Sequence, residues 1–349
     1  MKKILVIGLS DNIGGMETFF HTYYQHFKKS DYSFDFATVT DTIAFSEEYA
    51  KNGSTIFNLP GFLSHPIKYQ KTLRQIIRKG NYDIIHINML SAANILPIVA
   101  AKKEKVSKII IHSHNYGTPS GLLRKALNAI NRIYLKKDSF IKVACSKKAG
   151  DWMFGENAKY KVVPNAIDLA RFKFNNSNRR KIRNELKIDD SSFLLGNVGR
   201  LCEQKNQLFL IKLMGLLDDP FRLVVIGDGE KREILEKEAK RLGVNKRVFI
   251  ISNKRDVEKY YSAMDAFVFP SLFEGLGIVL IEAQANGLEC ICSEAIPEEA
   301  NVGGIKMLPL DTEKWANYIT GLAKHCQRHK YKMKQYDILM QSERWSLYD

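Results

Sequence analysis

Cysteine is scarce in this chain of 349 residues, and its spacing suits neither of its usual structural uses. The five cysteines (Cys145, Cys202, Cys290, Cys292 and Cys326) are odd in number and contain no Cys-x-x-Cys pair. That argues against a disulfide framework or a local metal knuckle and fits free thiols in a reducing cytosol. Cys290 and Cys292 alternate on an expected strand and so share a face, as buried thiols. No apolar run reaches the roughly eighteen residues that a membrane-spanning helix needs, and residues 94–101 read as a core segment. The opening residues 1–8 hold too short an apolar run for a secretory signal and read as a first strand. Repeats and low-complexity tracts are missing. So is Gly-x-Gly-x-x-Gly after the first strand, which argues against a dinucleotide fold of the dehydrogenase type. No helix-turn-helix, zinc-finger or ribonucleoprotein motif accompanies the basic charge, so nucleic acid is not the expected partner.

What is present is a soluble composition, 45% hydrophobic and 26% charged, long enough for two domains. The net charge of +15 is uneven: residues 1–168 hold 24 Lys and Arg against 13 Asp and Glu, the remainder 29 against 25. A basic surface of this kind recruits phosphates. Arg124, Lys125, Arg132, Lys136 and Lys137 fall on one expected helix, where Leu123, Leu127, Ile130 and Tyr134 recur at helical spacing. That apolar face either meets an anionic membrane or packs on a sheet.

Strands are expected at 3–8, 34–39, 82–88, 108–113 and 140–145, separated by helices at 14–28, 68–79, 91–102 and 122–136. The polar stretch 175–180 has linker character. The alternation then restarts, with strands at 193–198, 221–226, 248–251, 266–269 and 290–293 and helices at 207–217, 230–242, 257–264 and 278–286. Helical segments at 315–326 and 334–345 end the chain. Short apolar strands between helices imply parallel sheets covered on both faces, hence two Rossmann-like domains. Ligands of such sheets bind beyond the carboxyl ends of the strands.

The most informative stretch is Pro270-Ser271-Leu272-Phe273-Glu274-Gly275-Leu276-Gly277-Ile278-Val279-Leu280-Ile281-Glu282-Ala283. Glycines let the backbone turn from a buried strand into a helix, Glu274 sits in the loop, and Glu282 lies about one turn into the helix. The unpaired amides of Gly275, Leu276 and Gly277 suit an anion. Two carboxylates beside an anion site fit a ligand carrying hydroxyls on both sides of a diphosphate, as a nucleotide-sugar does. Arg200 and Lys205, after the first strand of the second half, offer fixed cations. In the first half, Gly14 and Gly15 allow close backbone approach and open a helix whose amides can meet the donor phosphate or the acceptor, and its first turn holds Glu17, an acceptor-side candidate that the helix dipole alone also explains. His112 and His114 share a face at a strand end, and His86 ends the neighbouring strand, either lining a cleft or structural. No third ligand stands near the histidine pair in sequence, so a metal is not expected.

Phe-x-Glu-Gly-x-Gly with Glu-x7-Glu resembles the signature of glycosyltransferase family 4, retaining enzymes of the GT-B fold. Gly14-Gly15-x-Glu17, His112-Ser113-His114-Asn115, Ala144-Cys145-Ser146, Val163-Pro164-Asn165, Gly199-Arg200, Asp228-Gly229 and Ile296-Pro297-Glu298-Glu299 extend the resemblance over essentially the whole chain. It implies two facing Rossmann-like domains with a cleft between them: an acceptor-binding domain over 1–168, a donor-binding domain over 169–326, and a segment over 327–349 that crosses back to the first. Trp345 and Tyr348 would anchor the return. The resemblance assigns Glu274 to the donor sugar, Glu282 to the ribose and Arg200 with Lys205 to the diphosphate. It puts His114, or else His112, near the reacting sugar, and Asn165, Asn253 and Lys254 on the donor. Ser252 and Asn253 depart from the family's usual glycine and aromatic, which leaves the base open, and Ala166 and Glu289 replace a usual glycine and proline.

The implied reaction is transfer, with retention, from a nucleotide diphosphate sugar such as a UDP-sugar to a hydroxyl of a lipid-linked or growing polysaccharide acceptor, as in capsule and exopolysaccharide synthesis. No cofactor or metal is expected, because no Asp-x-Asp occurs and the cations and helix amides can carry the charge. The expected location is the cytoplasm, with a peripheral place on the inner face of the plasma membrane. A GT-B nucleotide-sugar epimerase or hydrolase and a non-catalytic basic membrane adaptor are the alternatives.

Overall fold

Apolar runs of four to seven residues, bounded by turns, form strands, and the amphipathic runs between them form helices. The computed structural model describes all residues except 28–30, 116, 118–120, 137–139, 253, 255, 344 and 349. Asn253 and Arg255 of the base-recognition stretch and Lys137 of the basic helix therefore lie outside the described residues. The chain divides into two compact units, 1–166 with 338–349 and 167–337.

The first unit is built on β1 (Lys2–Ile7), β2 (Tyr32–Thr38), β3 (Ile56–Asn58), β4 (Ile84–Met89), β5 (Lys108–Ser113), β6 (Ile141–Ala144) and β7 (Lys161–Val162). They pair in parallel in the order β3-β2-β1-β4-β5-β6-β7. Alternation along the strands makes two cores. Ile4, Val6, Phe36, Ile84 and Ile110 pack under the helix Gly15–Tyr24. Leu5, Ile7, Ile85, Ile87 and Ile111 pack under the helices Pro66–Gly80 and Leu96–Lys103. The expected helix start at 91 is displaced to Leu96, because the Asn128 side chain accepts a bond from the Ala92 amide at 2.9 Å and Asn94 accepts one from the Leu96 amide at 3.1 Å.

The second unit is built on β8 (Phe193–Val198), β9 (Phe221–Ile226), β10 (Val248–Ile251), β11 (Ala266–Phe269), β12 (Glu289–Ser293) and β13 (Ile305–Leu308). These are again parallel, in the order β10-β9-β8-β11-β12-β13. The stretch expected as a linker at 175–180 is instead the start of a helix, Asn176–Glu185, capped by the Asn175 side chain. Its charges are satisfied at a distance: Arg179 meets Asp265 at 2.7 Å, and the buried Arg183 meets the same carboxylate at 3.2 Å. Polar composition there marks an internal ion-pair network.

The expected boundaries at 168 and 327 also shift. Residues 327–337 stay with the second unit: the Ile167 amide donates to the Tyr336 carbonyl at 2.8 Å, Met333 and Tyr336 are buried in that unit's core, and Arg328 caps the Ser262 carbonyl at 3.1 Å. The return to the first unit begins at Ile338. There Ile338, Trp345, Leu347 and Tyr348 enter the core beside Phe19, Tyr23 and Phe27, and Lys2 binds the Tyr348 carbonyl at 2.9 Å. Among the described residues the cysteines are free thiols, and no helix is long and apolar enough to cross a membrane.

Each strand order reverses direction at one place, between β1 and β4 and between β8 and β11. Loops leaving the carboxyl ends of these central strands diverge and leave a crevice, the usual binding place of open α/β sheets.

Candidate active site

At the second unit's switch point the loop after β8 is clipped to the loop after β11. The Leu272 amide donates to the Gln204 carbonyl at 2.8 Å, the Gln204 side chain to the Phe273 carbonyl at 2.9 Å, and the Asn206 side chain to the Pro270 carbonyl at 3.3 Å. The clip sets Lys205 Nζ 2.5 Å from Glu274 Oε1 and 4.9 Å above the Phe269 ring. Both partners are largely buried, so the pair is shielded from water and salt. An ammonium has three donors and Glu274 engages one, so Lys205 keeps capacity for an anion. Arg200 is exposed on the same loop and pairs with no acid among the described residues. The next loop packs tightly alongside: a Cβ on Gly227 would stand 2.0 Å from the Gly199 carbonyl oxygen, so only glycine fits.

Gly277, at φ +78, turns the chain from this loop into the helix Ile278–Ala285. Among the described residues the amides of Gly275, Leu276, Gly277, Ile278 and Val279 donate no hydrogen bond, the usual state of a helix start awaiting an acceptor. On this helix Glu282 is buried and accepts the Tyr261 hydroxyl at 2.7 Å. Burial pushes its carboxyl up to about 7, with the Tyr261 hydrogen bond acting in the opposite sense. Lys254 is exposed beyond β10. Arg232 ties the β9 and β10 loops together through Asp228 at 3.0 Å and Ser252 at 3.3 Å. The second unit thus brings Arg200, Lys205, Glu274, the free amides and Glu282 to one switch point. Tyr261, Gln204 and Arg232 shape it, and sequence reasoning missed them because each acts on a residue or loop distant in the chain.

The first unit's switch point is filled differently. A Cβ on Gly8, at φ +106, would lie 2.2 Å from the Asn88 carbonyl oxygen, so the β1 loop rests directly on β4. Glu17, expected on the acceptor side or as a dipole-favoured acid, is buried and reaches back to Ser10, accepting from its amide at 3.0 Å and its hydroxyl at 2.8 Å. It braces the loop that leads to the helix. A Cβ on Gly14 would meet Glu17 Oε2 at 2.9 Å and press on that carboxylate, whereas a Cβ on Gly15 would meet open space.

The three histidines come together. His86 Nδ1 lies 2.6 Å from the Tyr348 hydroxyl, and its Nε2 lies 3.2 Å from His112 Nδ1. The rings of His112 and His114 are 4.0 Å apart, and His114 Nε2 lies 2.8 Å from Asn88 Oδ1. His86 and His112 are fully buried and line no open surface, whereas His114 is half-buried. Burial holds all three imidazoles far below their usual range, with like-charge neighbours adding for His112 and His114; His86 and His114 fall to about 3. All three are therefore neutral near pH 7. Either direction of the Tyr348–His86–His112 relay leaves His112 Nε2 buried without a partner among the described residues. Asn165 is buried, and its side-chain carbonyl oxygen has no partner among the described residues.

Two family descriptions match this chain, Glycosyltransferase Family 4 over residues 13–171 and Glycosyl transferases group 1 over residues 178–302. EpsF of Bacillus subtilis, which carries a glycosyltransferase name, is 31% identical over 315 residues, covering 86% of this chain and 82% of that protein. The Escherichia coli UDP-Gal:alpha-D-GlcNAc-diphosphoundecaprenol alpha-1,3-galactosyltransferase is 29% identical over 243 residues, 64% of this chain and 60% of its own length. Among solved structures, Anabaena HepE in complex with UDP and glucose superposes with a TM-score of 0.81 at 19% identity, over 99% of this chain and 98% of that one. WaaG, a glycosyltransferase involved in lipopolysaccharide biosynthesis, superposes with a TM-score of 0.73 at 15% identity, over 99% and 96%. With two parallel Rossmann-like sheets, matching family descriptions over both halves and a relative this similar over most of its length, the chain belongs to glycosyltransferase family 4 and is a glycosyltransferase of the GT-B fold.

Proposed function

We propose that this glycosyltransferase moves a sugar from a UDP-sugar to a hydroxyl of a lipid-linked or growing polysaccharide acceptor, with retention and without a metal, in capsule or exopolysaccharide synthesis. The observation that carries the reading is the Lys205–Glu274 pair at the head of a helix whose first amides are unspent, with Arg200 beside it and Glu282 one turn below. In this reading Arg200, Lys205 and the amides receive the diphosphate, Glu274 accepts a hydroxyl of the donor sugar, and Glu282 accepts from the ribose. Lys254, with Asn253, serves the base. The named activity of the E. coli relative supports a UDP-linked donor and a diphosphate-lipid acceptor.

The first unit takes the acceptor. His114 is the histidine within reach of a bound sugar, since His86 and His112 have no exposed surface and support it from behind. As the anomeric carbon–oxygen bond to the diphosphate breaks, the bond to the acceptor oxygen forms on the same face, and the acceptor proton passes to the leaving phosphate. The protein's part is to stabilise charge developing on that phosphate, work that Arg200 and Lys205 can do without a metal. The test is transfer from a panel of UDP-sugars to an undecaprenyl-diphosphate saccharide in excess EDTA. Transfer should persist, and Arg200→Ala should slow it by roughly a hundredfold. Loss of activity in EDTA with recovery on Mn²⁺, or release of free sugar with no glycan product, would contradict the reading.

A further inference from the structure

At the carboxyl end of β4 one asparagine determines what the half-buried histidine beside it can do. His114 follows β5, and its backbone amide donates to the Met89 carbonyl at 3.0 Å, which ties it to the end of β4. The Phe19 ring stands edge-on to the imidazole with centroids 5.0 Å apart, and the His112 ring lies against it at 4.0 Å, so the ring is held between two others. Its Nε2 lies 2.8 Å from Asn88 Oδ1, and among the described residues its Nδ1 has no hydrogen-bond partner.

A neutral imidazole has one proton for two nitrogens, and the neighbour decides which of them holds it. Asn88 is buried, and its amide is oriented from the far side, where Nδ2 donates to the Ile7 carbonyl at 3.4 Å. Turning that amide over would set oxygen against oxygen at Ile7. The asparagine is also pinned through its backbone, because the β1 loop rests on it so closely that a Cβ on Gly8 would stand 2.2 Å from its carbonyl oxygen. Oδ1 therefore faces His114. A carbonyl oxygen can only accept, so the 2.8 Å contact requires the proton on Nε2. Burial, with His86 adding, keeps the ring from taking a second proton near pH 7. The remaining nitrogen, Nδ1, carries a lone pair. A leucine would fill similar space, but only the amide adds a directed acceptor.

We infer that Asn88 is a positioning residue that holds His114 in its Nε2–H form and leaves Nδ1 as a fixed acceptor for a sugar hydroxyl. The hydroxyl rests on the reaction proposed above; the place of the proton does not. In this role His114 receives a hydrogen bond and orients the sugar, and it gives no proton to the leaving phosphate. Nitrogen-15 NMR of the full chain with ring-labelled histidine reads the tautomer directly, with His114→Phe supplying the assignment. Near pH 7 the wild type should show a pyrrole-type Nε2 and a pyridine-type Nδ1. Asn88→Leu should spread the proton over both nitrogens, whereas Asn88→Asp, which still accepts, should keep it on Nε2. In sugar transfer from a UDP-sugar, Asn88→Leu should lower kcat/KM roughly tenfold, the scale of one hydrogen bond, and Asn88→Asp should recover most of that loss. Because Asn88 acts through His114, Asn88→Leu should cost nothing further in a His114→Phe background. The wild-type spectrum decides the tautomer whether or not the variants fold. A proton on Nδ1 in the wild type, equal slowing by Asn88→Leu with and without His114, or no recovery in Asn88→Asp would each overturn the inference. An Nε2–H form in a protein that transfers no sugar would leave the tautomer intact and remove the proposed reaction.

Discussion

The two units share one topology and treat its crevice in opposite ways. At the second switch point stand a paired lysine and glutamate, an exposed arginine, a buried glutamate and, among the described residues, five amides that donate no hydrogen bond, and at the corresponding place in the first unit the space is packed with neutral imidazoles and aromatic rings. Phe19 stands edge-on to His112 and His114 with ring centroids 4.8 and 5.0 Å away, and Trp345 and Tyr348 close the cluster from the chain's far end. A parallel sheet supplies a crevice wherever its order reverses. Side chains decide whether that crevice becomes a charged ligand site or part of a core.

The largest effect expected from disturbing this contrast comes from the chain's end. Trp345→Ala removes a buried ring that packs on Tyr23 and Phe27, and should destabilise the first unit by about 3–5 kcal/mol, while the second unit keeps its affinity for UDP. Calorimetric unfolding with and without UDP separates the two: a single transition lowered as one, with UDP binding lost, would mean that the units are not independent in this respect.

Acid should act next, and on the first unit. His86, His112 and His114 are held neutral by burial, so as pH falls below about 6.5 the unfolded chain takes up protons first. The stability they contribute is complete above that pH and is lost progressively as pH falls toward 3. Tryptophan fluorescence followed from pH 7 to pH 4 should report loosening around Trp345, and a profile unchanged when His86 and His112 are replaced by Gln would remove the histidines as its cause.

Glu282 has the opposite sign. Its carboxyl is raised from 4.5 to about 7, so the unfolded chain ionises first as pH rises, and stability is lost between those values. Glu282→Gln keeps an oxygen for the Tyr261 hydroxyl and should make the free protein more stable by about 1–3 kcal/mol at pH 8, while weakening UDP binding roughly tenfold. A melting temperature at pH 8 that falls on substitution would show that the buried charge is better satisfied than its surroundings indicate.

Much of the fold could be read from the sequence because each buried strand is a short apolar run and each long helix has a stripe. The misses have physical causes. Ile56–Asn58 is too short to show a period, and the helix Asn176–Glu185 looked like a linker because the acid that satisfies Arg179 and Arg183 is about eighty residues away. The return at Ile338 could not be told from one at 327 until Tyr336 was seen to bond Ile167. In the site, the spacing of Glu274 and Glu282 was visible in one segment. The mutual pairing of Lys205 and Glu274 was not, since it depends on two loops meeting across the switch point, nor was the sealing of His86 by Tyr348.

The central claim is that the donor's diphosphate binds at the second switch point, where Lys205 shares its charge between Glu274 and the ligand. Isothermal titration of UDP into the wild type and Lys205→Met tests it most directly, with unfolding scans to show that both are folded. The account predicts UDP binding by the wild type and a loss of roughly tenfold or more in Lys205→Met, which removes a charged donor and leaves Glu274 facing the phosphates. Equal affinity in the two proteins would contradict it.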